Sequence, residues 1–161
     1  MRAVVATLGY VFSPDGQRVL LLHRDSRPDD IHYGKYVGLG GKLEPDEDVC
    51  AGMRREIAEE AAITCDELEL AGTVSWPGWG RGGENWFGFL FRVTAWSGTP
   101  RKSNSEGTLE WVGVDDVLAG RVPMWDGDLH FLPLVFTGKR PFHGVMPYAD
   151  GRPTGWRYSE L

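Results

Sequence analysis

Apolar and polar residues are grouped along this chain in segments that predict several strands. Runs rich in β-branched and aromatic residues, bounded by turn residues, are typical of strands. The predicted strands are Ala3–Phe12, Arg18–His23, Tyr36–Leu39, Leu68–Trp76, Asn85–Trp96 and Thr108–Val114. The turn at 13–16 predicts a hairpin between the first two, and a second turn predicts a closing hairpin between Phe142–Tyr148 and Thr154–Tyr158.

Helical spacing predicts two helices among these strands. The first covers Asp48–Ala61, because Asp48 is a suitable N-cap and apolar residues then recur at every fourth position. The second covers Asp128–Phe136, and Asp115–Ala119 predicts a short helical turn. A mixed β-sheet between helices follows, which is an α/β or α+β sandwich.

Composition narrows the class of protein. With 161 residues and 42% hydrophobic composition, we expect a single domain over residues 1–161. A formal charge of −6 argues against a polymeric nucleic-acid partner, and no segment is long enough to cross a membrane. Cys50 and Cys65 lack metal-ligand spacing, which indicates reduced thiols in a cytoplasmic protein. We expect the protein to be a monomer or a homodimer.

The first predicted helix carries carboxylates beside its apolar face. Glu56 and Glu60 project about 40° apart, with Glu59 one step to the side. Like charges on one helix face repel, so a positive partner is needed. Arg55 can neutralise one carboxylate, and a hard divalent cation can neutralise the others. The alternative is an ordinary acidic helix with a solvated face.

The spacing of residues from Gly41 to Ile63 resembles the signature of the Nudix hydrolases. The matching positions are Gly41, Glu47, Arg55, Glu56, Ile57, Glu59, Glu60 and Ile63. The one departure is Ala62, where the family usually has glycine at the end of the helix. The resemblance implies an α/β/α sandwich that cleaves the pyrophosphate linkage of nucleotides.

The same resemblance implies a metal site. Glu56 and Glu60 would bind Mg²⁺, with Mn²⁺ as an alternative ion, aided by a main-chain carbonyl of Gly40 or Gly41. Glu59 would bind a further metal or orient the attacking water.

Two further roles follow from the family pattern. Glu106, with Glu110 as an alternative, would supply an extra metal ligand or the catalytic base. Glu47 and Arg55 would form a structural pair that ties the loop to the helix.

Residues 123–148 and 35–42 resemble the MutT-type branch that hydrolyses oxidised purine nucleoside triphosphates. By position, Trp125 would stack on the base and Asp128 would contact the purine edge. Val37 and Gly127 stand where that branch has polar residues that contact the base. Asp126, the neighbour of Gly127, is a substitute for the acidic residue missing at position 127.

Each of these residues also has an ordinary structural explanation. Trp125 could belong to the core, Asp126 and Asp128 could cap the second helix, and the four histidines are interpreted as structural or surface residues. Arg24 and Lys42 could neutralise phosphates or be surface charges, and Trp79 with Arg81 could form a lid.

The predicted function is hydrolysis of (deoxy)nucleoside triphosphates, including oxidised purines such as 8-oxo-dGTP, to a monophosphate and pyrophosphate. The alternatives are another nucleoside diphosphate derivative or dinucleoside polyphosphate as substrate, and a catalytically weak nucleotide-binding module.

Overall fold

A mixed β-sheet forms the middle layer of the protein in the computed structural model, which describes residues 2–161. Met1, the first residue of the expected 1–161 domain, lies outside the described residues. The strands are β1 (Val4–Phe12), β2 (Arg18–His23), β3 (Tyr36–Val37), β4 (Leu39–Lys42), β5 (Thr64–Trp76), β6 (Trp86–Ser97), β7 (Ser103–Asn104), β8 (Gly107–Gly113), β9 (Phe142–Val145), β10 (Tyr148–Ala149), β11 (Arg152–Pro153) and β12 (Arg157–Glu160).

The sheet has the order β12-β9-β5-β6-β1-β2-β8-β7, with β3 paired to β2 and β4 paired to β1. The β1–β6 and β5–β9 pairs are parallel, and the other pairs of this sheet are antiparallel. Strands β10 and β11 form a separate small hairpin.

Helices cover both faces of the sheet, which confirms the predicted sandwich. They are α1 (Val49–Ala61), α2 (Val114–Leu118) and α3 (Asp128–Thr137), with a 3-10 turn at Arg81–Gly83. Met53 and Ile57 of α1 pack in one buried cluster, and Phe131 and Leu132 of α3 pack in the other. No helix in residues 2–161 has the length and apolar character needed to span a membrane.

Strand β1 changes its antiparallel partner partway along its length. Its end pairs with β2, through Val11 opposite Leu20, whereas its middle pairs with β4, from Ala6 opposite Lys42 to Gly9 opposite Leu39. The sheet therefore splays between β2 and β4. The candidate site lies where this splay leaves room beside β1.

Strand β5 begins at Thr64, four residues earlier than the sequence predicts. Its pairing with β6 contains irregularities between Cys65 and Glu67, between Glu67 and Glu69, and again further along. Bulges insert residues and break the two-residue alternation on which strand prediction depends. The sequence pattern therefore does not predict the charged start of this strand.

The closing hairpin is present but divided. β9 pairs with β12 at the edge of the main sheet, while β10 and β11 form the tip as a separate ladder. The short strand β7 is not among the strands that the sequence predicts. Two-residue strands give too little pattern to be recognised from sequence.

Candidate active site

Helix α1 presents its glutamates toward the splayed part of the sheet. Asp48 caps the helix as predicted, because its carboxylate accepts a hydrogen bond of 2.9 Å from the Ala51 amide. The buried residues Met53 and Ile57 fix the inward face. Glu56 and Glu60 lie at the edge of that face and are half-buried, whereas Glu59 points outward and is 60% exposed.

The glycines of β4 allow its backbone to approach these carboxylates. The Gly40 amide donates a hydrogen bond of 3.3 Å to Oε2 of Glu60. A Cβ atom at Gly41 would lie 2.6 Å from Oε1 of Glu56, which leaves no space for a side chain. The two glycines therefore let the β4 backbone lie next to both carboxylates.

Nearby positive groups do not fully neutralise the negative charge of Glu56 and Glu60. Burial, followed by the charges of Glu106 and Glu56, raises the pKa of Glu60 to about 9. Burial also raises the pKa of Glu56, although Arg55 opposes the shift. A cation placed here would favour the ionised forms.

Glu47 and Arg55 form the pair expected from the sequence. Their contacts are bidentate, at 2.6 Å from Arg55 Nε and 2.8 Å from its terminal nitrogen. Hydrogen bonding from Arg55 holds the pKa of Glu47 at about 2. The same guanidinium lies 3.1 Å from Glu56 and 3.2 Å from Glu59, so it links Glu47 of the preceding loop to two glutamates of α1.

Glu106 lies just before β8 and faces this cluster from across the splay. Its carboxylate is 3.5 Å from Arg24, which in turn contacts Asp30 at 2.7 Å. The alternative residue, Glu110, is 3.6 Å from Nδ1 of His23 and does not line the cavity described below. Glu106 is therefore better placed than Glu110 to contact a ligand in that cavity.

The donors available suit a hard divalent cation. In the described part of the chain, no three His, Cys, Asp or Glu side chains converge closely enough to form a metal site by themselves. Glu56 and Glu60 with the backbone of Gly40 and Gly41 would supply oxygen ligands, leaving positions for water and substrate oxygens. Sharing its shell in this way is characteristic of Mg²⁺.

A cavity of about 430 Å³ extends from this charged region to a group of aromatic side chains. Its charged end is lined by Arg24, Gly40, Gly41, Lys42 and Glu106. Its other end is lined by His32, Val37, Trp76, Trp79, Trp86, Trp125, Asp128 and Tyr148. Glu56 and Glu60 are not part of the lining but lie behind the two glycines.

Trp125 and Asp128 both face this cavity. Trp125 is half-buried, and its indole N–H donates a hydrogen bond of 2.7 Å to Nδ1 of His32. Asp128 starts α3 without capping it, since Gly127 is the N-cap and no side chain bonds the first turn. Burial raises the pKa of Asp128 to about 7.

Asp126 does not take the place of the missing acidic residue in this cavity. It is exposed and borders a second cavity of about 720 Å³, which shares Trp125 and Tyr148 with the first. The capping interpretation is also wrong for Asp126, because α3 has no side-chain cap.

Several lining residues were not identified from sequence. The sequence predicts a structural or surface role for His32, yet this residue contacts Trp125 and lines the cavity. Trp79, which the sequence suggests as part of a lid with Arg81, lines the cavity and packs edge-on to Trp86 at 5.0 Å, whereas Arg81 is exposed. For Trp76 and Trp86 the available signal is the number of tryptophans, seven in this chain, which does not indicate which rings meet.

Comparisons with known proteins agree with this geometry. A family model described as the NUDIX domain matches residues 2–135. The Nudix hydrolase YvcI of Bacillus subtilis is 30% identical over 135 residues, covering 81% of this chain and 79% of that protein. The oxidized purine nucleoside triphosphate hydrolase of Mus musculus is 29% identical over 144 residues, covering 89% of this chain and 86% of that protein.

Among solved structures, the MutT protein of Bacillus halodurans superposes with a TM-score of 0.82 at 31% identity, covering 96% of this chain and 97% of that one. The family model spans most of the chain, and together with this likeness it shows the family to which the chain belongs. The chain belongs to the Nudix hydrolases, a family that acts on phosphoanhydride bonds of nucleotide substrates and generally uses divalent metal ions.

Proposed function

We propose that this protein is a Mg²⁺-dependent pyrophosphohydrolase that converts (deoxy)nucleoside triphosphates to monophosphates and pyrophosphate. The observation that carries the proposal is that one cavity joins a charged end, next to the carboxylates of α1, to an aromatic end. A triphosphate with its metal matches the first end, and a stacked base matches the second.

The proposed roles follow from the positions of the residues. Glu56 and Glu60, with the backbone of Gly40 or Gly41, hold the metal, which neutralises charge on the phosphate oxygens when bound. Manganese would fit the same oxygen donors.

Around the reacting phosphates, Glu106 accepts the proton of the attacking water, and Glu59 is a further metal ligand or orients that water. Arg24 and Lys42 line the charged end and offset phosphate charge. Glu47 acts through Arg55, whose guanidinium contacts Glu56.

The proposed base site is sparse in polar groups. Trp125 supplies a stacking surface, and Asp128 is an ionisable group whose pKa of about 7 allows it to accept or donate a hydrogen bond at neutral pH. Val37 offers no hydrogen bond to a base. An oxidised purine such as 8-oxo-dGTP is the proposed preferred substrate because Trp125 and Asp128 stand at the base-contacting positions of the oxidised-purine branch, and an oxidized purine nucleoside triphosphate hydrolase is 29% identical to this chain.

The proposal includes the organisation of the protein. We propose that residues 1–161 form one domain, since β9 and β12, which lie beyond the family model, extend the same sheet. A cytoplasmic location is supported by Cys50 and Cys65, which are both free. The substrate is a free nucleotide rather than a nucleic acid, and the protein is a monomer or homodimer.

The test is pyrophosphate release, with Mg²⁺, from dNTPs, 8-oxo-dGTP, nucleoside diphosphate sugars and dinucleoside polyphosphates. Glu60→Gln serves as the inactive control. Glu67→Gln, at an exposed position of β5, serves as the matched active control. We expect 8-oxo-dGTP to exceed dGTP in kcat/KM by about tenfold or more, which is about 1.4 kcal/mol.

Equal hydrolysis of all triphosphates would overturn the base preference alone. Faster cleavage of a sugar or dinucleoside substrate would overturn the substrate class. Tight, Mg²⁺-dependent nucleotide binding without turnover would instead indicate a nucleotide-binding module.

A further inference from the structure

The indole of Trp125 is held on an edge and on one face before any base is bound. Its N–H donates to Nδ1 of His32 at 2.7 Å. The Nζ atom of Lys35 lies 4.4 Å from the ring centroid, a cation–π distance. Because Lys35 borders the second cavity and not the first, the opposite face is left toward the first cavity.

The position of His32 is set by the loop that carries it. Asp30 accepts hydrogen bonds from the His32 amide at 3.0 Å and from Nε of Arg24 at 2.7 Å. The loop is closed by backbone bonds from Gly34 to Arg24 and from Lys35 to His32, at 2.8 Å and 2.9 Å. The imidazole is therefore fixed to a folded loop rather than free to follow the indole.

The hydrogen bond also defines the state of the imidazole. An indole N–H is only a donor, so Nδ1 must carry a lone pair and the proton must be on Nε2. Burial lowers the pKa of His32, and the nearby Arg24 lowers it further. The ring also meets Trp125 edge-on, with centroids 5.4 Å apart at 88°.

We propose that His32 is a positioning residue that presets Trp125 for stacking on the nucleotide base. The inference rests on the proposed function, in which Trp125 receives the base. A preset platform loses less rotational freedom on binding, so it improves affinity without new contacts to the ligand. Because His32 acts on the base through its hydrogen bond to Trp125, its replacement should weaken base binding and leave kcat close to the wild-type value.

The experiment compares His32→Phe, which keeps a ring but removes the acceptor, with His32→Asn, whose Oδ1 replaces Nδ1. Kd is measured for a non-hydrolysable dGTP analogue with Mg²⁺, alongside kcat and KM for dGTP. We expect His32→Phe to raise Kd and KM about fivefold, which is about 1 kcal/mol, with kcat within about twofold. His32→Asn should stay near wild type, and inorganic triphosphate, which lacks a base, should bind all three proteins alike.

A double-mutant cycle with Trp125→Phe isolates the hydrogen bond, because that variant removes the donor. The effect of His32→Phe should vanish in the Trp125→Phe background. An equal effect in both backgrounds, or equal losses in His32→Phe and His32→Asn, would overturn the proposal.

The indole N–H signals in ¹H–¹⁵N NMR spectra test the contact without any nucleotide. Trp125→Phe identifies the Trp125 signal, which should move upfield in His32→Phe and stay in place in His32→Asn. An unmoved signal would refute the positioning role even if His32→Phe were unstable. If the wild-type protein bound no nucleotide while this signal responded as expected, the proposed function would fail and the contact would stand.

Discussion

Glu60 is ionised only at a cost in the metal-free protein. It is half-buried, it faces Glu56 and Glu106, and the Gly40 amide is its one hydrogen-bond donor in the described residues. Its folded-state pKa of about 9 lies well above the ordinary value of 4.5. Such a shift is common at sites that bind a cation or a substrate, because the missing charge is supplied by the ligand.

The pH dependence of stability tests this interpretation of Glu60. Between pH 4.5 and about 9 the unfolded chain has released the proton that the folded protein still holds. Stability of the metal-free protein should therefore fall as pH rises through this window. Mg²⁺ must displace the same proton, so its stabilising effect should grow from pH 6 to pH 9. Tm measured by calorimetry, with Mg²⁺ or with EDTA, checks both trends.

The variant Glu60→Gln is the control for that prediction. Its amide keeps the shape but never ionises, so the metal-free variant should be at least as stable as wild type at pH 8. Its Tm should respond weakly to Mg²⁺ at every pH. A Mg²⁺ effect of wild-type size in Glu60→Gln would show that the cation binds elsewhere.

At the scale of elements, α1 is the part of the structure that the sequence predicts best. Its start, capped by Asp48, and its last residue, Ala61, agree with the structure within a residue. The reason is that both signals are local, a capping side chain and a repeat of apolar residues. The sequence does not predict the start of β5, because irregular pairing with β6 removes the local pattern there.

Ala62 is strained at the end of α1. It adopts a left-handed conformation, with φ 60° and ψ 32°, at the position where the family has glycine. An L-residue pays roughly 1 kcal/mol for this conformation. Ala62→Gly should therefore raise the free energy of unfolding by up to about 1 kcal/mol, or Tm by roughly 2–4 °C.

Urea titration measures this change, and Ala58→Gly is its matched control. Ala58 is exposed inside the same helix, where glycine should destabilise by about 1 kcal/mol. Equal destabilisation by both substitutions would mean that the strain at Ala62 is relieved in solution.

The connection between β7 and β8 positions Glu106 through one amide side chain. Oδ1 of Asn104 accepts from the Glu106 amide at 2.8 Å and from Gly107 at 3.1 Å. Its Nδ2 donates to the carbonyl of Glu60 at 3.1 Å. Asn104 thus couples the turn that carries Glu106 to the C-terminal turn of α1.

Asn104→Ala should loosen this turn. If Glu106 acts on the attacking water, kcat for triphosphate hydrolysis should fall about tenfold, while KM changes little. Steady-state kinetics with saturating Mg²⁺ measure both constants, and Ser103→Ala at the exposed neighbouring position is the control. A rise in KM at constant kcat would instead connect Asn104 to substrate binding.

On the scale of the whole molecule, the cavity is built from parts that are far apart in the chain. His32, Trp86 and Tyr148 come from a loop, a central strand and the C-terminal hairpin. No local pattern predicts that these rings meet, because the contact depends on strand order and on the splay of β1. The Nudix spacing predicts the carboxylates and the resemblance at residues 123–148 predicts Trp125 and Asp128, whereas His32, Trp86 and Tyr148 are found in the cavity only once the chain is folded.

Both buried clusters depend on the same strands, so we expect the protein to unfold as one unit. Tyr10 of β1 belongs to one cluster and its neighbour Val11 to the other, and Leu21 and Leu20 of β2 divide in the same way. Losing either cluster removes support from strands that the other needs. A single cooperative transition is the expected result, as for most small domains.

Two core truncations test this coupling. Ile57→Ala removes packing from the cluster under α1, and Leu132→Ala removes packing from the cluster under α3. Each substitution should lower the free energy of unfolding by about 2–5 kcal/mol. With 5-fluorotryptophan labelling, ¹⁹F NMR follows Trp96 in the first cluster and Trp156 in the second through a urea titration. Each truncation should shift both signals to the same lower midpoint. If Ile57→Ala moved only the Trp96 transition, the two faces of the sheet would be separate folding units, and the single-domain proposal would be wrong.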